Sequence, residues 1–169
     1  MSAEVILFWV FAVSIVVCAA FVIASRNPVH SAMALVAGFF FLAGVYVLLW
    51  AHTIAVLQVL VYAGAIMVLF LFVIMLLSLD NAQLREGKIT VGRVVGGLSA
   101  AALLFVLMVA IARAPLPEAT FDAARQSTFG TLARVGQVVY TQYLLPFEAV
   151  SLLLLVAIVG AVVVAKSRI

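Results

Sequence analysis

Residues 54–79 read IAVLQVLVYAGAIMVLFLFVIMLLSL, a stretch without a single charged side chain. A helix needs roughly 20 apolar residues to cross the 30 Å or so of hydrocarbon in a bilayer. The uncharged region is longer than this quotation, because no Asp, Glu, Lys or Arg occurs between Arg26 and Asp80. As one straight helix it would run roughly 80 Å at 1.5 Å per residue, so it has to fold back on itself. The turn is expected at Trp50-Ala51-His52-Thr53, where an interfacial aromatic and an imidazole meet a helix-starting threonine.

Working outward, charges bracket three more apolar runs, which gives five spans near residues 3–24, 31–50, 54–79, 91–111 and 144–165. The fold class is therefore an all-α integral membrane protein, a single membrane domain over 1–169. The chain of 169 residues is 69% hydrophobic and 9% charged, with mean hydropathy +1.41. Soluble domains run at about 45–50% apolar and about 25% charged. A soluble enzyme, a disordered chain and a disulfide scaffold are thereby excluded. Barrel strands alternate apolar and polar residues, and these runs do not. The start, Met1-Ser2-Ala3-Glu4, has no Lys or Arg before the first apolar run, so that run reads as a retained helix rather than a cleaved signal.

Orientation follows from where the cations fall. Arg26, Arg85, Lys88, Arg93, Lys166 and Arg168 collect on one side, against Arg113, Arg125 and Arg134 on the other. The richer side is expected to be cytoplasmic, which puts the N-terminus outside and the C-terminus inside. Pro115 and Pro117 are expected to stop the fourth helix. Beyond them Phe129, Leu132, Gly136, Val139 and Tyr143 recur at helical spacing, opposite Arg134, Gln137 and Thr141. This predicts a short amphipathic surface helix before the last span. The nine Lys and Arg residues lie scattered, so no nucleic-acid stripe forms.

Few residues carry chemistry. Cys18 is the single cysteine, and no metal-binding or cofactor-binding pattern is present. His30 and His52 fall at expected helix ends on opposite faces and read as interfacial polar residues. Within the third span, Gln58, Tyr62 and the small triplet Ala63-Gly64-Ala65 interrupt the hydrocarbon character. Two readings stand side by side: a notch for close helix packing, or a deformable point such as a single-turn π-bulge. Glycine costs about 1 kcal/mol against alanine in a helix, which weakens the chain at Gly64. Glu148, after Leu145-Pro146-Phe147, is expected in the first turn of the fifth helix, as a dipole-favoured anchor or as a proton or partner contact. Gly92 and Gly96 form one GxxxG, a weak packing signal.

Three blocks together resemble a known family: Asn27-Pro28-Val29-His30-Ser31, VYAGAIMVLFLFVIMLL at 61–77 preceded by Gln58, and the run from Gly136 through YLLPFEAVSLLLLVAIVGAVV. They look like the subunit J family of proton-pumping NADH–quinone oxidoreductase (respiratory complex I), counterpart of the mitochondrial chain 6. The resemblance implies a subunit without redox centres in the membrane arm, beside the quinone-chamber subunits and the adjacent small and antiporter-like subunits. Flavin mononucleotide, iron–sulfur clusters and quinone would belong to the complex, and none to this chain. It also implies a bulge at Tyr62, Ala63 and Gly64 that switches conformation during coupling, with a water path toward the proton channels. Leu69 and Phe70 would then gate that path by keeping it dry in one state. Glu148 and Gln58 are the possible proton or partner contacts; some members carry a carboxylate in place of Gln58. Location in a bacterial inner membrane is expected. Two other functions are weighed against this one, a self-contained transporter or channel and a purely structural membrane subunit.

Overall fold

A computed structural model describes residues 3–77, 91–114 and 128–166. Five of its helices are long and apolar enough to cross a membrane. Helix α1 spans Ala3–Ala24, with Glu4 in its first turn, where the helix dipole favours an acid. Helix α2 spans Pro28–Leu48. It starts three residues before the expected boundary because Asn27 caps it. The Asn27 side-chain oxygen accepts from the Val29 amide at 2.9 Å, and Pro28 sits at the first helical position, where no amide is needed.

The expected turn at Trp50–Thr53 is present. Trp50 adopts φ 60, and its ring meets His52 edge-on at 5.9 Å. The third span then begins at His52, with Ala51 as a cap residue that offers no side-chain hydrogen bond. Thr53 is thus not the capping residue expected of it, and its hydroxyl is used elsewhere. The span is made of α3 (His52–Leu57), a π-helical segment (Gln58–Ile66) and α4 (Met67–Leu76). The expected continuation to residue 79 lies outside the described residues, as do Pro115 and Pro117. Helix α5 spans Val91–Arg113, α6 spans Leu132–Gln142 and α7 spans Leu144–Ala165.

Contacts divide the chain into two compact units, Met1–Ile74 with Asp122–Ile169, and Met75–Phe121. The first is built on α2. Helix α1 lies along it at close range, because Gly44 faces the Phe11 ring and Gly38 faces Cys18. A Cβ placed on Gly44 would stand 2.8 Å from the Phe11 ring edge, so a side chain there would displace the ring. Phe11 also packs on Phe41 with ring centres 6.5 Å apart. At the hairpin end the Ser31 hydroxyl donates to the Val22 carbonyl at 2.7 Å. Helix α3 and the π-helical segment pack on the same α2.

The buried residues of the described chain are small or slender: Ala32, Ala43, Ala55, Gln58, Ala63 and Met67. The large apolar side chains of every span face outward instead. A water-soluble protein could not tolerate that distribution, whereas lipid tails or neighbouring membrane helices are as apolar as these side chains.

Helix α6 begins at Leu132 rather than at Phe129, where the apolar periodicity starts. Gly130 has φ 70, which breaks the helical path, and the Thr131 side chain then accepts from the Arg134 amide. Tyr140 and Phe147 stack edge to face at 5.1 Å across the joint between α6 and α7. In the second unit, Gly92 and Gly96 have no other heavy atom within 4 Å of a built Cβ, so the GxxxG packs against nothing described.

Candidate functional site in the third span

Four residues of the third span are buried: Ala55, Gln58, Ala63 and Met67. Their steps are three, five and four residues. An α-helix returns to the same face after three or four positions, about 100° per residue. A step of five is one residue too many. The π-helical segment absorbs the surplus, so that Ala63 and Met67 share a face with Ala55 and Gln58. At its C-terminal end the Met67 amide points to both the Tyr62 and the Gly64 carbonyls, where π spacing passes back to tighter helix. The departure from α-helix covers nine residues, longer than the single-turn π-bulge named in the sequence reading.

A Cβ on Gly64 would stand 3.2 Å from the carbonyl oxygen of Val59, five residues earlier. That oxygen is brought close by the π geometry itself. A side chain at position 64 would need that carbonyl to give way by a few tenths of an ångström. Tyr62 projects outward, about half exposed, with its ring edge-on to Phe39 of α2 at 5.8 Å.

Were the segment to tighten into α-helix, the residue following Gln58 on the buried face would be Tyr62 instead of Ala63. Past that point Ile66 would replace Met67, and everything beyond would turn by about 100°. The two arrangements differ in which side chain, bulky or small, meets α2. In the structure it is the small side chain, Ala63, that is buried, while the Tyr62 ring packs on Phe39 of α2.

The remaining sequence candidates are dispersed. Gln58 is buried in the π-helical segment. Leu69 and Phe70 are exposed on α4, so the described residues of their own unit supply no second wall for a gate. Glu148 is exposed and is the fifth residue of α7, not in its first turn. The helix starts at Leu144, where the span was expected to begin, and the Phe147 amide donates to the Tyr143 carbonyl at 3.0 Å, so Glu148 falls one residue beyond the first turn. His30 and His52 stand near the starts of α2 and α3. Among the described residues no three His, Cys, Asp or Glu side chains gather closely enough to hold a metal.

One contact has no counterpart in the sequence reading. The Gly130 carbonyl accepts two hydrogen bonds from Thr53, one from its amide at 3.0 Å and one from its hydroxyl at 2.7 Å. No side-chain signature announces it, because the acceptor is backbone and the partners are 77 residues apart.

The comparisons with known proteins agree with one another. The chain is 38% identical to subunit J of NADH-quinone oxidoreductase from Rhodobacter capsulatus, over 96% of this chain and 81% of the relative. It is 33% identical to chain 6 of NADH-ubiquinone oxidoreductase from Prototheca wickerhamii, over 96% and 86%. It is also 33% identical to subunit J of F(420)H(2) dehydrogenase from Methanosarcina mazei, over 99% and 93%. The family model for NADH-ubiquinone/plastoquinone oxidoreductase chain 6 matches residues 18–164. With that match covering most of its length, the chain belongs to the NADH-ubiquinone/plastoquinone oxidoreductase chain 6 family.

Proposed function

We propose that this chain is the element of the membrane arm of an NADH–quinone oxidoreductase that converts quinone chemistry into proton movement by switching its π-helical segment. Membership of the family carries the first half of that statement. The five-residue step between Gln58 and Ala63 carries the second. Coupling of two distant events needs an element with two arrangements whose balance both can bias. A charge-free helix can change register in hydrocarbon without dragging an unpaired charge through it. The chain is a multi-pass protein of a bacterial inner membrane.

The relatives support placing this role in the membrane rather than at the electron donor. Their names speak of NADH in one case and of F(420)H(2) in another, at similar identity to this chain. The shared part is thus independent of the donor. The chain's own donor set does not suit iron–sulfur ligation, for which clusters use several cysteines and the whole sequence has one. Flavin, clusters and quinone are accordingly assigned to other subunits, and this chain is expected to have no catalytic activity alone.

Within this reading Tyr62, Ala63 and Gly64 form the hinge. Leu69 and Phe70 face a neighbouring subunit across a path that rotation would wet or dry. Glu148 and Gln58 are its candidate proton or partner contacts. The N-terminus lies outside and the C-terminus in the cytoplasm, which reporter fusions at the two ends would check.

The test is purification of the tagged chain from native membranes in mild detergent. A large complex with flavin, iron–sulfur subunits and inhibitor-sensitive NADH–quinone activity is expected, and proton uptake after reconstitution. A lone chain that carries ions through vesicles by itself would overturn the reading.

A further inference from the structure

The start of the third span is held by a part of the chain far from it. Ala51 caps α3 but offers no side-chain hydrogen bond. The first amides of a helix need acceptors from elsewhere, and here the Gly130 carbonyl serves the Thr53 amide. The same oxygen takes the Thr53 hydroxyl, so one carbonyl fixes both the backbone and the side chain of a single residue. The two strands of this lock are closely fitted. Trp50 at φ 60 and Gly130 at φ 70 both use the left-handed region, and a Cβ on Gly130 would overlap the Trp50 carbonyl oxygen. Thr131 then caps α6, so the acceptor is carried on the rigid start of a helix rather than on a free loop.

Helix α3 is six residues long, and the π-helical segment begins immediately after it. Interconversion between π and α spacing must turn one end of the span relative to the other. With Thr53 clamped, the end that turns is the one after Gly64. We infer that the Gly130–Thr53 lock is a rotational stop, a positioning device that directs any change in the π-helical segment into Met67–Leu76 and leaves α3 still. The inference rests on the switching reading given above and adds the direction of the movement and the residues that impose it.

The experiment uses the assembled complex, with a nitroxide-bearing amino acid introduced by codon suppression at Val56 of α3 or at Val68 of α4. Both positions are exposed on the chain and neither belongs to the proposed hinge. Spectra are compared at rest and during NADH-driven turnover. In the native chain the line shape at Val68 is expected to change with turnover, and that at Val56 to stay fixed. Thr53→Val keeps the shape and the amide but removes the hydroxyl donor. It should make Val56 respond as well, with about fivefold faster hydrogen exchange of the first α3 amides, the change expected for one lost hydrogen bond. Thr53→Ser should restore both readings to native values, which a merely space-filling role of Thr53 would not do.

A Val56 signal that already moves in the native complex, or that stays fixed in Thr53→Val while Val68 moves, overturns the rotational stop and leaves the switching reading in place. If Val68 does not respond in the native complex either, the switching reading fails and the stop fails with it.

Discussion

Complexes carrying Gly64→Val are expected to contain normal amounts of the subunit yet to move few protons for each NADH oxidised. The reason lies in the Val59 carbonyl, 3.2 Å from where any Cβ at position 64 would stand. Tightening to α-helix would change the spacing that brings this oxygen close, so a side chain here is expected to disfavour the π-helical arrangement more than the α-helical one. Alanine adds its better helix propensity, about 1 kcal/mol over glycine, in the same direction. Valine crowds the site further through its branched Cβ. A bias of about 2 kcal/mol shifts a two-state balance up to about thirtyfold. Gly64→Ala should therefore give partly coupled complexes, and Gly64→Val should lower protons per electron to about a tenth of the native ratio or less. The measurement is acidification inside vesicles reconstituted with purified complex, alongside quinone-dependent NADH oxidation and a native gel. Normal pumping by fully assembled Gly64→Val complexes would sink the hinge.

Gly44→Leu should fail in the opposite way, by losing the subunit and with it the complex. The Phe11 ring edge stands where the leucine Cβ would go, and that ring is itself backed by Phe41. Overpacking of this kind costs about 1–3 kcal/mol when neighbours can yield, and more when they cannot. Here the yielding group is the outer edge of the Phe11 ring, which has to swing off Phe41 or let the α1–α2 contact open. Subunit abundance in membranes should fall severalfold, and whatever complex survives should be coupled normally. Phe11→Ala combined with Gly44→Leu returns volume to the contact and should recover part of the abundance. If Gly44→Leu accumulates fully, or if its surviving complexes are uncoupled, the assignment of Gly44 to packing alone is overturned. The contrast between the two glycines separates holding the subunit together from making it work.

Charge placement and the length of the apolar runs made the spans legible in the sequence. The ends of α1 and α7 lie where those runs begin and stop, and the Trp50–Thr53 turn lies where an 80 Å helix, roughly, would have had to bend. The register of the third span could not be read the same way. In a soluble helix the buried face announces itself by apolar residues among polar ones, whereas residues 54–79 are apolar all round. The five-residue step becomes visible only when burial picks out Ala55, Gln58, Ala63 and Met67 from equally apolar neighbours. Gly64 gave a hint of weakness without saying which way the helix yields. Glu148 lies one residue past the first turn in which it is expected, because the helix already runs from Leu144 through Pro146, which a first turn tolerates. The Gly130–Thr53 lock leaves no trace in the residue types involved, since a backbone carbonyl is present at every position.

That lock also sets an order on biogenesis. The α1–α2 contacts at Gly44, Gly38 and Ser31 all lie within residues 3–48, so every partner they need has been made once α2 is complete. The third span follows at once on the ribosome, but its acceptor lies 77 residues downstream of Thr53. At about 5–20 residues per second, translation leaves the span unlatched for roughly 4–15 s. During that window the nascent helix is free to settle in either spacing, and only the arrival of Gly130 commits its first turn. The first-turn bond of the third span is thus made only after the chain has been extended through Gly130.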